Sequence, residues 1–216
     1  MSAEELAQLA KAAEALRRYA AYMDAHSQAL HYLAWAAAVP FGGFTTALIW
    51  TKLELSSLAL SLLTVLLWIG IAGVVEAFYR SELAAVKVLM RAQLPEEEAE
   101  RRAKLEEKAS AKAGAYWLAA SAILVLAIAK AKSMNLMATV IQLMVASGTL
   151  AEYLVHRSLR PSKDFLAVAL MLAASSPITY MAEGPYCWLA LLAALTLSYA
   201  AAGLALLIKA RRKLSG

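Results

Sequence analysis

Long uncharged stretches separated by short charged segments are the dominant pattern along this chain. Six uncharged intervals reach at least 17 residues, and a helix needs about 20 apolar residues to cross the hydrocarbon layer of a membrane. A lipid-exposed segment must satisfy its backbone hydrogen bonds internally, and no interval alternates as the strands of a membrane barrel do. The pattern therefore predicts six transmembrane helices. They are expected near residues 30–50, 56–78, 114–130, 134–155, 165–182 and 185–208.

The third predicted span is the shortest, and it ends at Lys130 and Lys132. Both side chains are long enough to reach the lipid headgroups from the end of a helix. If this segment did not cross the membrane, the orientation of every later span would be reversed.

Lys and Arg residues are distributed unevenly among the connections between the spans. Of the 21 Lys and Arg residues, 18 precede the first span, follow the sixth, or lie in the second and fourth connections. Only Lys52, Lys130 and Lys132 lie on the other side. The positive-inside rule therefore predicts a multi-pass protein of the cell membrane with cytoplasmic N- and C-termini. The bilayer, including its anionic headgroups, is the first partner this implies. Nucleic-acid binding is not expected, because no basic patch coincides with an aromatic platform.

These features predict an all-α, polytopic integral membrane protein with an amphipathic N-terminal helix and a cytoplasmic helical hairpin between spans two and three. The composition agrees, since 62% hydrophobic and 17% charged residues with a mean hydropathy of +0.59 lie outside the usual range of soluble domains. The predicted segments are a cytoplasmic helix at 1–28, a membrane hairpin at 29–79, the cytoplasmic hairpin at 80–113, a second membrane hairpin at 114–156, a short cytoplasmic loop at 157–164, a third membrane hairpin at 165–208 and a basic cytoplasmic tail at 209–216.

The N-terminal segment is predicted to be a helix with a narrow apolar seam. Ser2 and Glu5 have the spacing of a capping box, in which each side chain satisfies a free backbone amide of the first turn. The seam has the alternating three- and four-residue spacing of one helix packing on another. Its members are Leu6, Leu9, Ala13, Leu16, Ala20 and Met23. Two interpretations stay open, namely packing against another helix and lying in the surface of the bilayer.

The cytoplasmic hairpin at 80–113 is predicted to be two helices separated at Leu94–Pro95. Proline suits the first position of a helix, and acidic residues at 96–98 favour the positive end of its dipole. The first helix has an apolar edge at Leu83, Val86 and Met90. The second has three acid-first pairs four residues apart: Glu97 with Arg101, Glu98 with Arg102, and Glu100 with Lys104. The hairpin is interpreted either as a solvated connection or as a docking site for a protein partner.

Glu76 and Glu152 are the two acidic residues inside predicted spans, each about one turn from the cytoplasmic end. Carboxylates inside a membrane are costly and often mark ion or proton pathways. However, Arg80 follows Glu76 by four residues, and His156 follows Glu152 by four. Local pairing at the membrane interface is therefore the simpler interpretation, with a transport role as the alternative.

Two predicted spans contain residues that interrupt helices. Pro40, Gly42 and Gly43 lie in the first span, and Pro177 lies in the fifth. Proline removes a backbone hydrogen bond and bends a helix, so kinks are predicted at both sites. Interrupted helices also line the substrate sites of many transporters.

No catalytic or metal-binding motif is evident, and no cofactor is expected. The sequence has no nucleophile elbow, zinc-protease motif or phosphate-binding loop. His31 and His156 would have to face each other to hold a haem or metal ion, and the lone Cys187 cannot form an internal disulfide. One Asn, four Gln and one Cys in the chain are typical of a heat-adapted source.

Three functions remain open at the level of sequence. A non-enzymatic docking or assembly subunit is favoured, because a polar, well-specified cytoplasmic part contrasts with nearly uncharged spans. A small transporter or channel would use Glu76, Glu152 and the proline-interrupted helices. A membrane enzyme would need polar groups such as Glu76, Glu152 and His156 to converge at one depth. A homo-oligomer is compatible with each of these functions.

Overall fold

The computed structural model of this protein describes four stretches of the chain, residues 2–91, 94–130, 133–157 and 163–215. All regular secondary structure in these stretches is helical, without a β-strand, so the predicted all-α fold is confirmed. Most of the predicted loop at 157–164 lies outside them. The helices are α1 (Ala3–Lys52), α2 (Ser57–Arg91), α3 (Glu96–Lys130), α4 (Met134–His156), α5 (Asp164–Met181) and α6 (Tyr186–Ser215).

Five helical segments among the described residues are long and apolar enough to cross a membrane. They overlap the predicted first, second, fourth, fifth and sixth spans, although the second, fifth and sixth predicted spans each extend slightly beyond the segment found. The predicted third span forms the last part of α3, which ends at Lys130. The side chains of Val125, Ile128 and Ala129 in this part of the helix, and Lys132 beyond its end, lie outside the described residues. Whether this segment crosses therefore stays a prediction. The five segments are Glu4–Lys52, Ala59–Ala84, Met134–His156, Asp164–Met181 and Tyr186–Lys213.

α1 joins the predicted cytoplasmic helix and the first span in one continuous helix of 50 residues. The boundary expected near residue 28 therefore does not correspond to a break in the helix. The predicted capping box is confirmed. The backbone N–H of Glu5 donates to the Ser2 hydroxyl at 3.2 Å, and the backbone N–H of Ser2 donates to the Glu5 carboxylate at 2.6 Å.

The helix break predicted at Leu94–Pro95 is confirmed, since α2 ends at Arg91 and α3 begins at Glu96. Pro95 precedes the first helical residue and accepts the first backbone hydrogen bond of α3, from Ala99 at 2.9 Å. α2 runs without a break from the apolar segment Ala59–Ala84 to Arg91, and α3 runs without a break from Glu96 to Lys130. The predicted pair of Glu100 with Lys104 forms, with 2.7 Å between the charged atoms.

Contacts group the chain into two compact units, of which the first comprises residues 1–99 and 203–216. In this unit α1 packs along α2, and mostly small side chains of α1 are buried, which lets the helices approach closely. The apolar edge predicted for α2 is buried at Leu83 and Val86, whereas the side chain of Met90 lies outside the described residues. Buried residues of α1 are Ala20, Ala25, Ser27, Ala29, Tyr32, Ala36 and Val39.

The second unit comprises residues 100–202, and α4 packs along α5 in it. The residues on the buried face of α4 are small or polar, whereas its leucines are exposed. Small and polar residues are typical of the contact faces of membrane helices. α3 reaches α4 through neighbouring aromatic residues, Tyr116 and Trp117. Residues of α4 on the buried face are Ala138, Thr139, Gln142, Ala146, Gly148 and Thr149.

Candidate functional sites

The first 17 residues of α1, residues 3–19, are called the arm here, and the predicted apolar seam is exposed along them. The exposed fractions of Leu6, Leu9 and Leu16 are 53%, 58% and 47%. Burial of α1 begins at Ala20, which is only 3% exposed. The seam of the arm is thus not covered by the described residues of this chain, and both interpretations of it stay predictions.

α6 covers α1 just below the arm. Gly203 of α6 lies so close to α1 that a Cβ atom there would be 2.8 Å from Leu33 and 3.1 Å from the carbonyl oxygen of Ala29. Further along, the Lys213 ammonium donates to the carbonyl oxygen of Ala21 at 3.2 Å. The two helices are thus antiparallel, and the last turns of α6 lie within about one helical turn of the base of the arm. The last turns of α6 carry Arg211, Arg212 and Lys213, and Arg17 and Arg18 lie near the base of the arm.

Glu76 of α2 lies close to a histidine of α1. Its Oε1 atom is 3.6 Å from Nε2 of His31, whose side chain is only 12% exposed. The imidazole ring also packs on Tyr79, with 4.2 Å between the ring centroids. Arg80, the partner expected from its spacing, has an exposed side chain. The sequence suggested no contact between His31 and Glu76, because they belong to different helices.

Glu152 lies in the second unit and accepts hydrogen bonds within a small polar cluster. The Trp117 indole N–H donates to its Oε1 atom at 3.1 Å. The Nδ1 atom of His156 lies 3.1 Å from its Oε2 atom and 3.1 Å from its backbone carbonyl oxygen. The local pairing of Glu152 with His156 is thus present, and the buried Tyr199 of α6 lies within electrostatic range. Glu76 and Glu152 belong to different units, and each has its own histidine.

Each unit contains a tryptophan that packs on a glycine. The ring of Trp117 lies directly on Gly148, four residues before the acceptor Glu152. In the first unit Trp68 lies against Gly42, where a Cβ atom would be 2.8 Å from the ring. Its indole N–H donates to the hydroxyl of Thr46, which again follows the glycine by four residues, at 3.2 Å. Glycine is needed at both positions because the ring occupies the space of a side chain.

The predicted interruption in the first span is accommodated within α1. The helix continues through Pro40, which is exposed, and ends only at Lys52. Gly42 is buried beneath Trp68, and Gly43 is half-buried. Gly42 therefore serves close packing of α1 on α2 in the described structure, and a kink at Pro40 stays a prediction.

α5 also continues through its proline, and a neighbouring serine repairs the lost hydrogen bond. Pro177 has no N–H to donate to the carbonyl oxygen of Ala173, four residues earlier. The hydroxyl of Ser176 donates to that oxygen at 2.8 Å instead. Hydroxyl side chains commonly satisfy the backbone groups that proline frees in membrane helices.

A buried glutamine on α4 connects to α5 beside this proline, and sequence analysis missed it. The Gln142 amide donates to the carbonyl oxygen of Leu172 at 2.9 Å and to the Ser175 hydroxyl at 2.8 Å. Its own carbonyl oxygen accepts a hydrogen bond from Thr179. Gln142 and Thr179 are both 0% exposed. The uncharged glutamine did not interrupt the apolar interval, so the pattern that located the span passed over it.

The described residues contain no group of three or more His, Cys, Asp or Glu side chains arranged to hold a metal ion. No protein-family model, curated protein or solved structure matches the chain. The arm and the two Glu–His contacts are therefore the features on which a functional proposal depends.

Proposed function

We propose that this protein is a multi-pass membrane subunit that docks another protein through the arm. In this proposal the six predicted spans cross the cell membrane, and both termini and the cytoplasmic hairpin lie in the cytoplasm. The five long apolar helices and the distribution of Lys and Arg support this orientation.

The continuity of α1 is the observation that carries the docking role. If residues 30–50 cross the bilayer, the helix that begins at Ala3 extends from the span along the same direction. At 1.5 Å per residue this extension is about 40 Å long. The headgroup layer is only about 5–8 Å thick on each side, so Leu6, Leu9 and Leu16 stand in water beyond it.

An exposed leucine seam in water favours a protein partner over the bilayer surface. A helix that lies in the surface would have to turn sharply where it joins the span, and α1 runs unbroken from Ala3 to Lys52. Apolar side chains at alternating three- and four-residue spacing are the surface that a second helix covers in helix–helix recognition. The earlier expectation of a partner at the hairpin 80–113 stays a separate prediction.

Site-specific photo-crosslinking in native membranes tests the docking role. A photoreactive residue at Leu9 or Leu16 is expected to give one adduct of defined mass, because both positions lie on the seam. Matched positions at Lys11 and Glu14, which are also exposed, lie off the seam and should give little of that adduct. Adducts with lipid only, or equal adducts from all four positions, would contradict docking through the arm.

A second candidate function is proton-coupled or cation transport. It is favoured by two Glu–His contacts in long apolar helices. His31 of α1 lies close to Glu76 of α2, and Glu152 lies close to His156 within α4. The flux of protons or cations into proteoliposomes should then fall strongly in the Glu76→Gln and Glu152→Gln variants. The matched variant Glu54→Gln, in an exposed connection, should retain the flux. Unchanged flux in both membrane variants would remove these carboxylates from the mechanism.

A further inference from the structure

Glu152 is the more closely held of the two membrane carboxylates. Each of its oxygen atoms lies within hydrogen-bond distance of a separate nitrogen, since the Trp117 indole N–H is 3.1 Å from Oε1 and Nδ1 of His156 is 3.1 Å from Oε2. The Glu152 side chain is 22% exposed, against 45% for that of Glu76. The 3.6 Å between Glu76 and His31 is also longer than a hydrogen bond. The second unit therefore holds its carboxylate in the better defined geometry.

The surroundings of His156 show where one of its hydrogen atoms lies. Nδ1 is 3.1 Å from the Oε2 atom of Glu152 and 3.1 Å from the backbone carbonyl oxygen of the same residue. An ionised carboxylate and a carbonyl group only accept hydrogen bonds, so Nδ1 carries a hydrogen atom. The pair can therefore gain a further proton without a change in this contact.

Titratable groups on the neighbouring helices complete the electrostatic surroundings of the pair. Tyr199 of α6 is buried and lies within electrostatic range of Glu152. The antiparallel register of α4 and α5 brings Asp164, the first residue of α5, to about the level of Glu152. On α3 the Tyr116 hydroxyl donates to Ser147 at 2.7 Å. The nearest basic residues along α3, α4 and α5 are exposed, so water and salt screen their charges. They are Lys112, Arg157 and Lys163.

The hydrogen atoms around Glu152 favour a proton over a metal cation as the bound ion. Mg²⁺ and Ca²⁺ need about six or more oxygen ligands. One carboxylate oxygen faces the indole N–H of Trp117 and the other faces the Nδ1–H of His156, so a cation approaching either oxygen would meet a hydrogen atom. Within the described part of the chain, no third His, Cys, Asp or Glu joins the pair in an arrangement that could hold a metal ion.

We propose that the ion taken up by the second unit is a proton, bound by Glu152 and His156 as one pair. The pair carries one negative charge while the carboxylate is ionised and the imidazole is neutral, and it has no net charge after it takes a proton from water. Protons that bind to two strongly interacting groups belong to the pair. This inference rests on the transport candidate and deepens it by naming the ion.

Nitrogen NMR of the imidazole rings tests the site in the full-length protein in lipid nanodiscs. The chain has three histidines, and the signals of His156 are those that disappear in His156→Gln. They are also the signals that remain in the double variant His26→Gln, His31→Gln. We expect them to titrate between about pH 5 and 8, with Nδ1 protonated throughout. Replacing N-methylglucamine with Na⁺ or Mg²⁺ at constant ionic strength should leave the midpoint of the titration unchanged.

Two matched variants locate the effect in the second unit. Glu152→Gln keeps an oxygen that can accept the indole N–H but removes the negative charge. The midpoint of the His156 titration should then move to lower pH by about 1 unit, because a neighbouring carboxylate favours the charged imidazole. Glu76→Gln removes the same charge in the first unit and should leave the midpoint where it is.

Three results would overturn the assignment of the ion: His156 signals that do not change over this pH range, a midpoint that moves when Na⁺ or Mg²⁺ is added, or no shift in Glu152→Gln. Transport is measured separately, with a pH-sensitive dye inside proteoliposomes. A pair that titrates as expected without any proton flux would support the proton site and remove the transport candidate. Sodium flux that is lost in Glu152→Gln, without proton flux, would keep transport and contradict the proton.

Discussion

The indole ring of Trp117 lies directly on Gly148, so a methyl group at position 148 would overlap the ring. The same tryptophan donates its N–H to Glu152, one turn further along α4. Trp117 therefore fixes the position of α3 on α4 in two ways, by the fit of its ring on Gly148 and by its hydrogen bond to Glu152.

Replacing Gly148 with alanine is expected to lower the free energy of unfolding by about 1–2 kcal/mol, because the added methyl group forces the ring away. Thermal unfolding in mild detergent measures the change. The control is Gly73→Ala in α2, where an added Cβ meets no atom within 4 Å. That variant should be neutral or more stable by up to about 1 kcal/mol, since alanine favours helix. Similar shifts in both variants would count against the tryptophan–glycine contact.

The hydrogen bond between Gln142 and Thr179 should give a measurable coupling energy between α4 and α5. In a double-mutant cycle with Gln142→Leu and Thr179→Val, we expect a coupling energy of about 0.6 kcal/mol, the average for interhelical hydrogen bonds in a membrane protein, and no more than about 1.7 kcal/mol. The matched cycle pairs Gln142→Leu with Thr149→Val, because the Thr149 hydroxyl bonds only to carbonyl groups of α4 in the described structure. Coupling of equal size in the two cycles would mean that Gln142 acts by volume alone.

Ser176→Ala should destabilise the protein only while Pro177 is present. The Ser176 hydroxyl satisfies the carbonyl oxygen of Ala173 that the proline leaves without its helical donor. Loss of this bond is expected to cost about 1 kcal/mol. In a Pro177→Ala background the alanine N–H can supply the missing donor, so Ser176→Ala should then have almost no effect. Equal costs in both backgrounds, measured by unfolding in detergent, would contradict this role.

The predicted topology places Lys104 and Arg211 on the cytoplasmic side and Lys52 on the opposite side. Single cysteines at these positions, in a Cys187→Ser background, should confirm or reject it. A membrane-impermeant maleimide should label positions 104 and 211 in inverted vesicles and position 52 in right-side-out vesicles or intact cells. Labelling of 104 and 211 from opposite sides would mean that the third span does not cross the membrane.

The helices and their approximate ends could be predicted because charge and hydropathy act locally along the chain. A charged residue is costly in lipid wherever it occurs, so the uncharged intervals indicate the apolar segments, although α1, α2 and α3 continue into charged sequence beyond them. The capping box at Ser2 and Glu5 and the pair of Glu100 with Lys104 were also predictable, since each involves residues only three or four positions apart.

Contacts between helices could not be predicted in the same way. His31 meets Glu76, and Asn135 donates to the carbonyl oxygen of Tyr180 at 2.9 Å, across distances in sequence that one chain without relatives does not reveal. The seam of the arm shows the same limit. Its spacing left open both packing on another helix and lying in the bilayer surface, because spacing does not tell which residues have a neighbour, and burial of α1 begins only at Ala20.

The unbroken course of α1 gives the arm the mechanics of a lever. From Leu9 to Ala29 the helix has no joint at which a sideways load could be absorbed. A sideways force on the arm would therefore act on the close contact at Gly203, where Leu33 and the carbonyl oxygen of Ala29 leave no space for a Cβ atom. A protein bound to the arm would in this way change the tilt of α1 relative to the last turns of α6.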